Sequence, residues 1–286
     1  MTELLETVTA NLSLDADWVC PFDHEATTHD KKNTLPPPPR VNNASTLSDN
    51  LKDRSARLRL LKFDLPDFAL EDTPIQFPYG GRAIKKYEAR YTAHHLLPGN
   101  DVWNDSKNQL RKWIEKTPPF GESDLVEGDV GYDVNHYGNG IDLPGNKAVR
   151  PWTTRAGSFQ NAYAFAAMEA NDVRQFHDAH LAYSEFVLKA MNRLAQKLKR
   201  KGPDLGCGKK RCPASNKKPY PPPYFLVPRL HAIGARLANY LIGDPAKWRR
   251  PLFTSRFALM FQSKKVQKTD MSQAEATDQL DVSRFA

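Results

Sequence analysis

The sequence predicts an α+β protein, mostly helical, with a long irregular N-terminal arm. Three observations carry that prediction. Residues 176–199 place Phe176, Ala179, Tyr183, Phe186, Val187, Ala190, Leu194 and Leu198 at three- and four-residue steps, the repeat of one helix face. Residues 89–97 and 140–143 read as strands, the second opening at Asn139-Gly140, a strong turn signal. A 286-residue chain that is 40% hydrophobic, with 14 Phe, 10 Tyr and 5 Trp, has material for a sizeable core. No apolar run reaches the roughly 18 residues of a membrane span, so no membrane insertion is expected.

The elements follow in order. Residues 1–50 read as an acidic arm in which Leu35-Pro36-Pro37-Pro38-Pro39-Arg40 is a polyproline II spacer. Its first dozen residues are acidic and lack a basic start and an apolar centre, so no cleaved signal peptide is expected. Residues 51–84 mix short apolar runs (Leu58, Leu60, Leu61, Phe63) with prolines and read as an extension packed over the next domain. Residues 85–200 form the core. Within it a short helix over 106–116 carries Leu110, Trp113 and Ile114 on one face and stops before Pro118-Pro119. An Ala-rich helix covers 159–170, and the long helix of 176–199 ends at Lys201-Gly202-Pro203. Residues 201–286 are a basic C-terminal extension, with a Pro/Gly/Lys-rich loop, a short helix over 231–242 closed by Gly243, and a loose polar end.

Charge is uneven. Residues 1–80 carry 8 Lys/Arg against 13 Asp/Glu, whereas residues 196–270 carry 18 against 3, a net +15 within a chain of net +8. Such a cationic segment draws polyanions. Lys197, Lys199, Arg200, Lys201, Lys209, Lys210, Arg211, Arg249 and Arg250 are its candidate nucleic-acid contacts. Phosphate contacts carry little sequence information, so specificity is expected to be low. Cys20, Cys207 and Cys212 fit no disulfide framework. The last two pair, help hold a metal, or are ordinary loop thiols.

The histidines carry the chemistry. His177 and His180, three apart on the predicted helix, would lie side by side on one face and share a cation. His94, at a strand end, supplies a third imidazole. Three protein nitrogens leave positions open for water and phosphate, as a catalytic metal requires. On a strand His94 and His95 point to opposite faces, so one binds metal while the other takes a proton from water. The residues alone do not say which. Taken singly, His177 reads equally as a half-buried polar residue and Asn139 as a turn former. His136 reads as a loop brace, and His24, His29 and His231 have no assignment.

Three blocks in order give the set its meaning. They are Ala93-His94-His95-Leu96-Leu97-Pro98, then Tyr132-Asp133-Val134-Asn135-His136 with Asn139-Gly140-Ile141-Asp142-Leu143-Pro144, then His180-Leu181-Ala182-Tyr183. In these the chain resembles the AHH nucleases, a branch of the His-Asn-His/endonuclease VII superfamily with a ββα-metal fold, common among bacterial polymorphic toxins. The resemblance spans residues 85–200. It implies a metal-dependent endonuclease with His95 as general base and Asn139 bracing the loop and orienting His95. His94, His180 and His177 would be metal ligands, and the cofactor a divalent ion, Mg²⁺, Mn²⁺ or Zn²⁺. The implied substrate is DNA, with RNA as the other candidate. The implied setting is an antibacterial effector made in the bacterial cytoplasm and delivered to a target cell by contact-dependent or type VI secretion. A cognate immunity protein would neutralise it, and the arm around Trp18-Val19-Cys20-Pro21 would dock a secretion component. The competing expectations are a non-catalytic nucleic-acid-binding protein with a structural Zn²⁺, and an interaction protein whose basic segment binds an acidic partner.

Overall fold

In the computed structural model the two strands expected around the histidine pair form and pair with each other. The structure describes Leu5 and residues 42–60, 69–79, 82–114, 125–126, 128–145, 157–170, 173–180, 182–200, 219–220, 223 and 226–265. The proline spacer, Lys201, Lys209, Lys210, Arg211, Cys20, Cys207 and Cys212 lie outside them, as does the Arg200 side chain. The fold is α+β and mostly helical. Its elements are α1 (Ala44–Leu60), β1 (Thr73–Tyr79), β2 (Arg82–Ala89), β3 (Tyr91–His95), α2 (Arg111–Ile114), β4 (Gly140–Pro144), α3 (Gly157–Glu169), α4 (Tyr183–Arg200) and α5 (Leu226–Asn239). A last helix, α6, covers 256–265.

The chain divides into two units, each assembled from three segments. The first holds residues 1–69, 93–142 and 182–238; the second holds 70–92, 143–181 and 239–286. The boundary falls within β3, after Thr92, and within β4, after Asp142. β1 pairs with β2, and β3 with β4. Backbone bonds from Leu96 N–H to Asn139 O and from Gly145 N–H to Arg90 O make the second pair antiparallel.

In the first unit α1 starts inside the predicted arm. Asn43 caps it, its side-chain oxygen accepting from the N–H groups of Ser45 and Thr46, both at 3.1 Å. Leu47 and Leu51, both fully buried, cluster with Ala69 and Ala93 of β3. Gly140 opens β4 against Leu47, and a Cβ there would sit 2.6 Å from Leu47 Cδ1. The Asn-Gly signal therefore marks a close approach rather than a two-residue hairpin turn. A 3₁₀ turn, Tyr137–Asn139, makes the bend. The helix expected over 106–116 shrinks to Arg111–Ile114. Asp105 and Asn108 turn the chain before it, accepting from the backbone of Lys107 and Leu110 with their own side chains. Helix α5 begins at Leu226, earlier than the predicted 231. Its Pro228 sits in the first turn, where the missing N–H has no helical partner to lose.

The second unit is aromatic. The β1–β2 hairpin lays Phe77 against Phe159 of α3 at 5.5 Å between ring centres and against Tyr163 at 6.2 Å. Phe176, Trp248, Phe253, Phe257 and Phe261 complete the cluster. Tyr163 donates its hydroxyl to Glu88 O at 3.1 Å. Burial pushes its pKa up to about 12.

The predicted helix over 176–199 is corrected at its start. It begins at Tyr183, and His177 and His180 precede it. The cause is where the backbone N–H groups go. Gln175 N–H bonds Leu241 O at 2.8 Å, His177 N–H bonds Pro144 O at 2.7 Å and Asp178 N–H bonds Thr254 O at 3.2 Å. An extended segment so tied outward has no donors left for an i→i−4 ladder.

Gly140→Ala is expected to lower the stability of the protein by about 1–3 kcal/mol through the overlap with Leu47. It would be read as a lower urea midpoint at unchanged m-value; an unchanged midpoint would show that Leu47 gives way freely.

Candidate metal centre and histidine base

Strand β3 delivers two histidines to two environments, as its period of two dictates. Both are buried, His94 at 1% and His95 at 6% exposure. His94 packs edge-on to the ring of Tyr183, 5.1 Å between centres. Tyr183 is the first residue of α4 and donates its hydroxyl to Leu96 O at 2.9 Å. Burial raises the pKa of that hydroxyl well above its ordinary value, so it stays a neutral donor.

His95 meets a different partner. Its Nε2 lies 2.9 Å from Oδ1 of Asn135. The same oxygen accepts the N–H of Asn43 at 2.9 Å. Asn50, about two α1 turns on, donates its amide to Asn135 O at 2.8 Å. The sequence showed Asn135 inside a recognisable block without marking it as the partner of His95.

Asn139 is fully buried and acts on backbone. Its oxygen accepts Leu97 N–H at 2.7 Å, and its amide donates to Leu97 O at 3.1 Å and Val134 O at 2.8 Å. It holds the exit of β3 to the loop that carries Asn135. His136 braces that loop, its Nδ1 accepting Gly138 N–H at 3.1 Å. His231, unassigned in the sequence, comes from α5 to stack on it, 4.4 Å between centres and 7° between planes. Gly234 lets α5 approach, since a Cβ there would meet Gly138 O at 2.9 Å.

In the second unit His177 and His180 come together without a helix. Their Nε2 atoms lie 2.9 Å apart. Facing ring nitrogens at that distance either share one proton or turn two lone pairs toward one cation. Residues the sequence did not single out set this geometry. Gln175, fully buried, accepts Thr254 N–H at 3.0 Å and donates to Tyr240 O at 2.9 Å. Thr254 in turn donates its hydroxyl to Phe176 O at 3.0 Å.

No family model matches the chain, and no curated protein and no solved structure matches it either.

Of the basic candidates, Lys199 is exposed on α4, Lys197 is half-buried there, and Arg250 is exposed. Arg249 is exposed as well, its Nη1 donating to Ala246 O and, at 3.0 Å, to Trp248 O.

The His136–His231 stack fixes a pH dependence. Burial first, then the charge of a protonated His136 and of Arg54, pull the His231 pKa from 6.5 to about 4. Burial also lowers His136, partly offset by Asp133. A ring with a depressed pKa binds fewer protons folded than unfolded. Its stabilisation is complete above pH 6.5 and drains as pH falls toward 4, on the order of 3 kcal/mol at most. The urea midpoint is expected to fall through that window and to fall less in His231→Phe, which keeps a ring without the titration. Parallel pH curves for the two proteins would refute this.

Proposed function

We propose that this protein is a metal-dependent endonuclease that hydrolyses phosphodiester bonds with little sequence specificity. The observation that carries the reading is a pair of facing imidazoles, His177 and His180, whose Nε2 atoms lie 2.9 Å apart. On the strength of the sequence blocks, His94 is the third imidazole of the proposed set, with His95 next in the chain. The donor set fits a metal. Three imidazoles suit Zn²⁺ or a transition ion such as Mn²⁺ better than Mg²⁺, which prefers oxygen ligands. A divalent ion held there supplies Lewis-acid stabilisation of the charge that builds on a phosphate under attack.

The rest falls to the chain's own groups. His94, His177 and His180 are the ligands. His95 accepts the proton of the attacking water. Asn139 acts at one remove, holding the β3 exit and the loop together so that His95 keeps its place. Lys197 and Lys199 on α4, with Arg249 and Arg250, track the phosphate backbone of DNA, with RNA as the second candidate. The ββα-metal core, the effector setting, the cognate immunity protein and delivery by a secretion apparatus belong to the same proposal, on the strength of the three sequence blocks.

Purified protein is expected to nick or degrade plasmid DNA with Mn²⁺ or Zn²⁺ and not in EDTA. His95→Ala is expected to lose about 10²-fold or more in rate while still binding metal. His177→Ala and His180→Ala are expected to weaken metal binding itself, measured by calorimetry, by about 10-fold or more. Cleavage that persists in EDTA, or an unimpaired His95→Ala, would sink the mechanism. If DNA is untouched and RNA is cut, the substrate class changes and the site does not.

A further inference from the structure

The hydrogen bonds around Asn135 have only one consistent set of directions. Asn43 offers a backbone N–H, which can only donate, so the Asn135 side-chain atom 2.9 Å away is an acceptor, the amide oxygen. That same oxygen lies 2.9 Å from Nε2 of His95. An acceptor facing a ring nitrogen requires the nitrogen to donate. Nε2 therefore carries the proton, and in the neutral ring Nδ1 carries the lone pair.

The rest of Asn135 is equally engaged. Its N–H donates to Asp133 Oδ1 at 2.8 Å and its carbonyl accepts from the Asn50 side chain. With 5% exposure it has no second arrangement at hand. Two of its fixing groups, Asn43 and Asn50, sit at the cap and in the second turn of α1, some 90 residues earlier in the chain.

We propose that Asn135 is the positioning residue of the hydrolysis. It holds the His95 ring with Nε2–H turned toward itself, so that Nδ1 is the atom that accepts the proton of water. Helix α1 belongs to the machinery through Asn43 and Asn50. The proposal rests on the reading of His95 as the base. The balance is simple: water gives one proton to Nδ1, while the other ring proton stays on Nε2 and is donated to the Asn135 oxygen throughout. The oxygen of water forms the new bond to phosphorus as the bond from phosphorus to the leaving oxygen breaks, and the leaving oxygen takes its proton from solvent.

The test combines kinetics with a view of the ring proton. In wild-type protein labelled with ¹⁵N-histidine, the His95 Nε2–H is expected as a resolved, slowly exchanging resonance, assigned by its loss in His95→Ala. Asn135→Leu removes the acceptor at similar volume. It is expected to lose that slow exchange and to lower kcat on plasmid DNA about 10- to 100-fold. KM and calorimetric metal affinity stay as they were, which a collapsed fold would not allow. Asn135→Asp restores an acceptor and is expected to recover most of the loss. A wild-type ring protonated at Nδ1 overturns the proposal without any variant. So does full kcat in Asn135→Leu, or an Asn135→Asp protein as slow as Asn135→Leu. If wild-type protein cleaves neither DNA nor RNA, the nuclease reading itself falls and takes this one with it. Loss confined to Asn135→Leu kinetics with wild-type cleavage intact separates the two.

Discussion

The amide of Asn139 is the constraint on which the first unit depends. A single buried side chain satisfies both backbone groups of Leu97 and the carbonyl of Val134. Each of those groups would otherwise be a polar atom without water, at a cost of about 1–3 kcal/mol. Three such bonds converge on one residue because β3 ends there and cannot continue its ladder through Pro98. The clamp fixes the distance between the end of β3 and the loop that faces it. Once that distance is fixed, Asn135 falls opposite His95, and His136 falls where α5 can lay His231 on it. The histidine stack and the His95–Asn135 contact are thus two results of one geometric decision.

A different logic governs the second unit. Residues 174–178 are held by isolated bridges, Arg174 to Ile242 and His177 to Gly145, with Gln175 and Thr254 filling the gaps between them. A segment of this kind has no regular ladder and keeps its shape only because its neighbours are rigid. The aromatic cluster around Phe176 provides that rigidity. Two imidazoles can then face each other at 2.9 Å, an arrangement loose loops do not maintain.

The fold was legible where sequence period and backbone bonding agree. Strand β3 follows alternation, and the opposite environments of His94 and His95 follow from it directly. The body of α4 follows from the three-and-four spacing of Phe186, Ala190, Leu194 and Leu198. That same spacing misled at Phe176 and Ala179. Apolar periodicity records which side chains are buried, not which carbonyl each N–H finds, and here Pro144 and Thr254 claim the donors. The pairing of His177 with His180 was legible from their spacing, although the helix invoked to pair them is absent. Asn135 and α1 were not legible as neighbours of His95. Their bonds join residues 85 and 92 apart, and no local pattern encodes a contact at that range. Gln175 was hidden for the opposite reason, being an ordinary polar residue beside conspicuous ones.

Each unit is closed by late chain. The loop of His136 waits for α5, and the segment of His177 waits for Tyr240 and Thr254. During synthesis, at roughly 5–20 residues per second, the first 200 residues leave the ribosome with both histidine groups encoded and neither one held. Both arrangements come into being only after about residue 254 has emerged, so a chain stopped short of α5 and Thr254 lacks the ring stacked on His136 and the ties that hold the His177 segment.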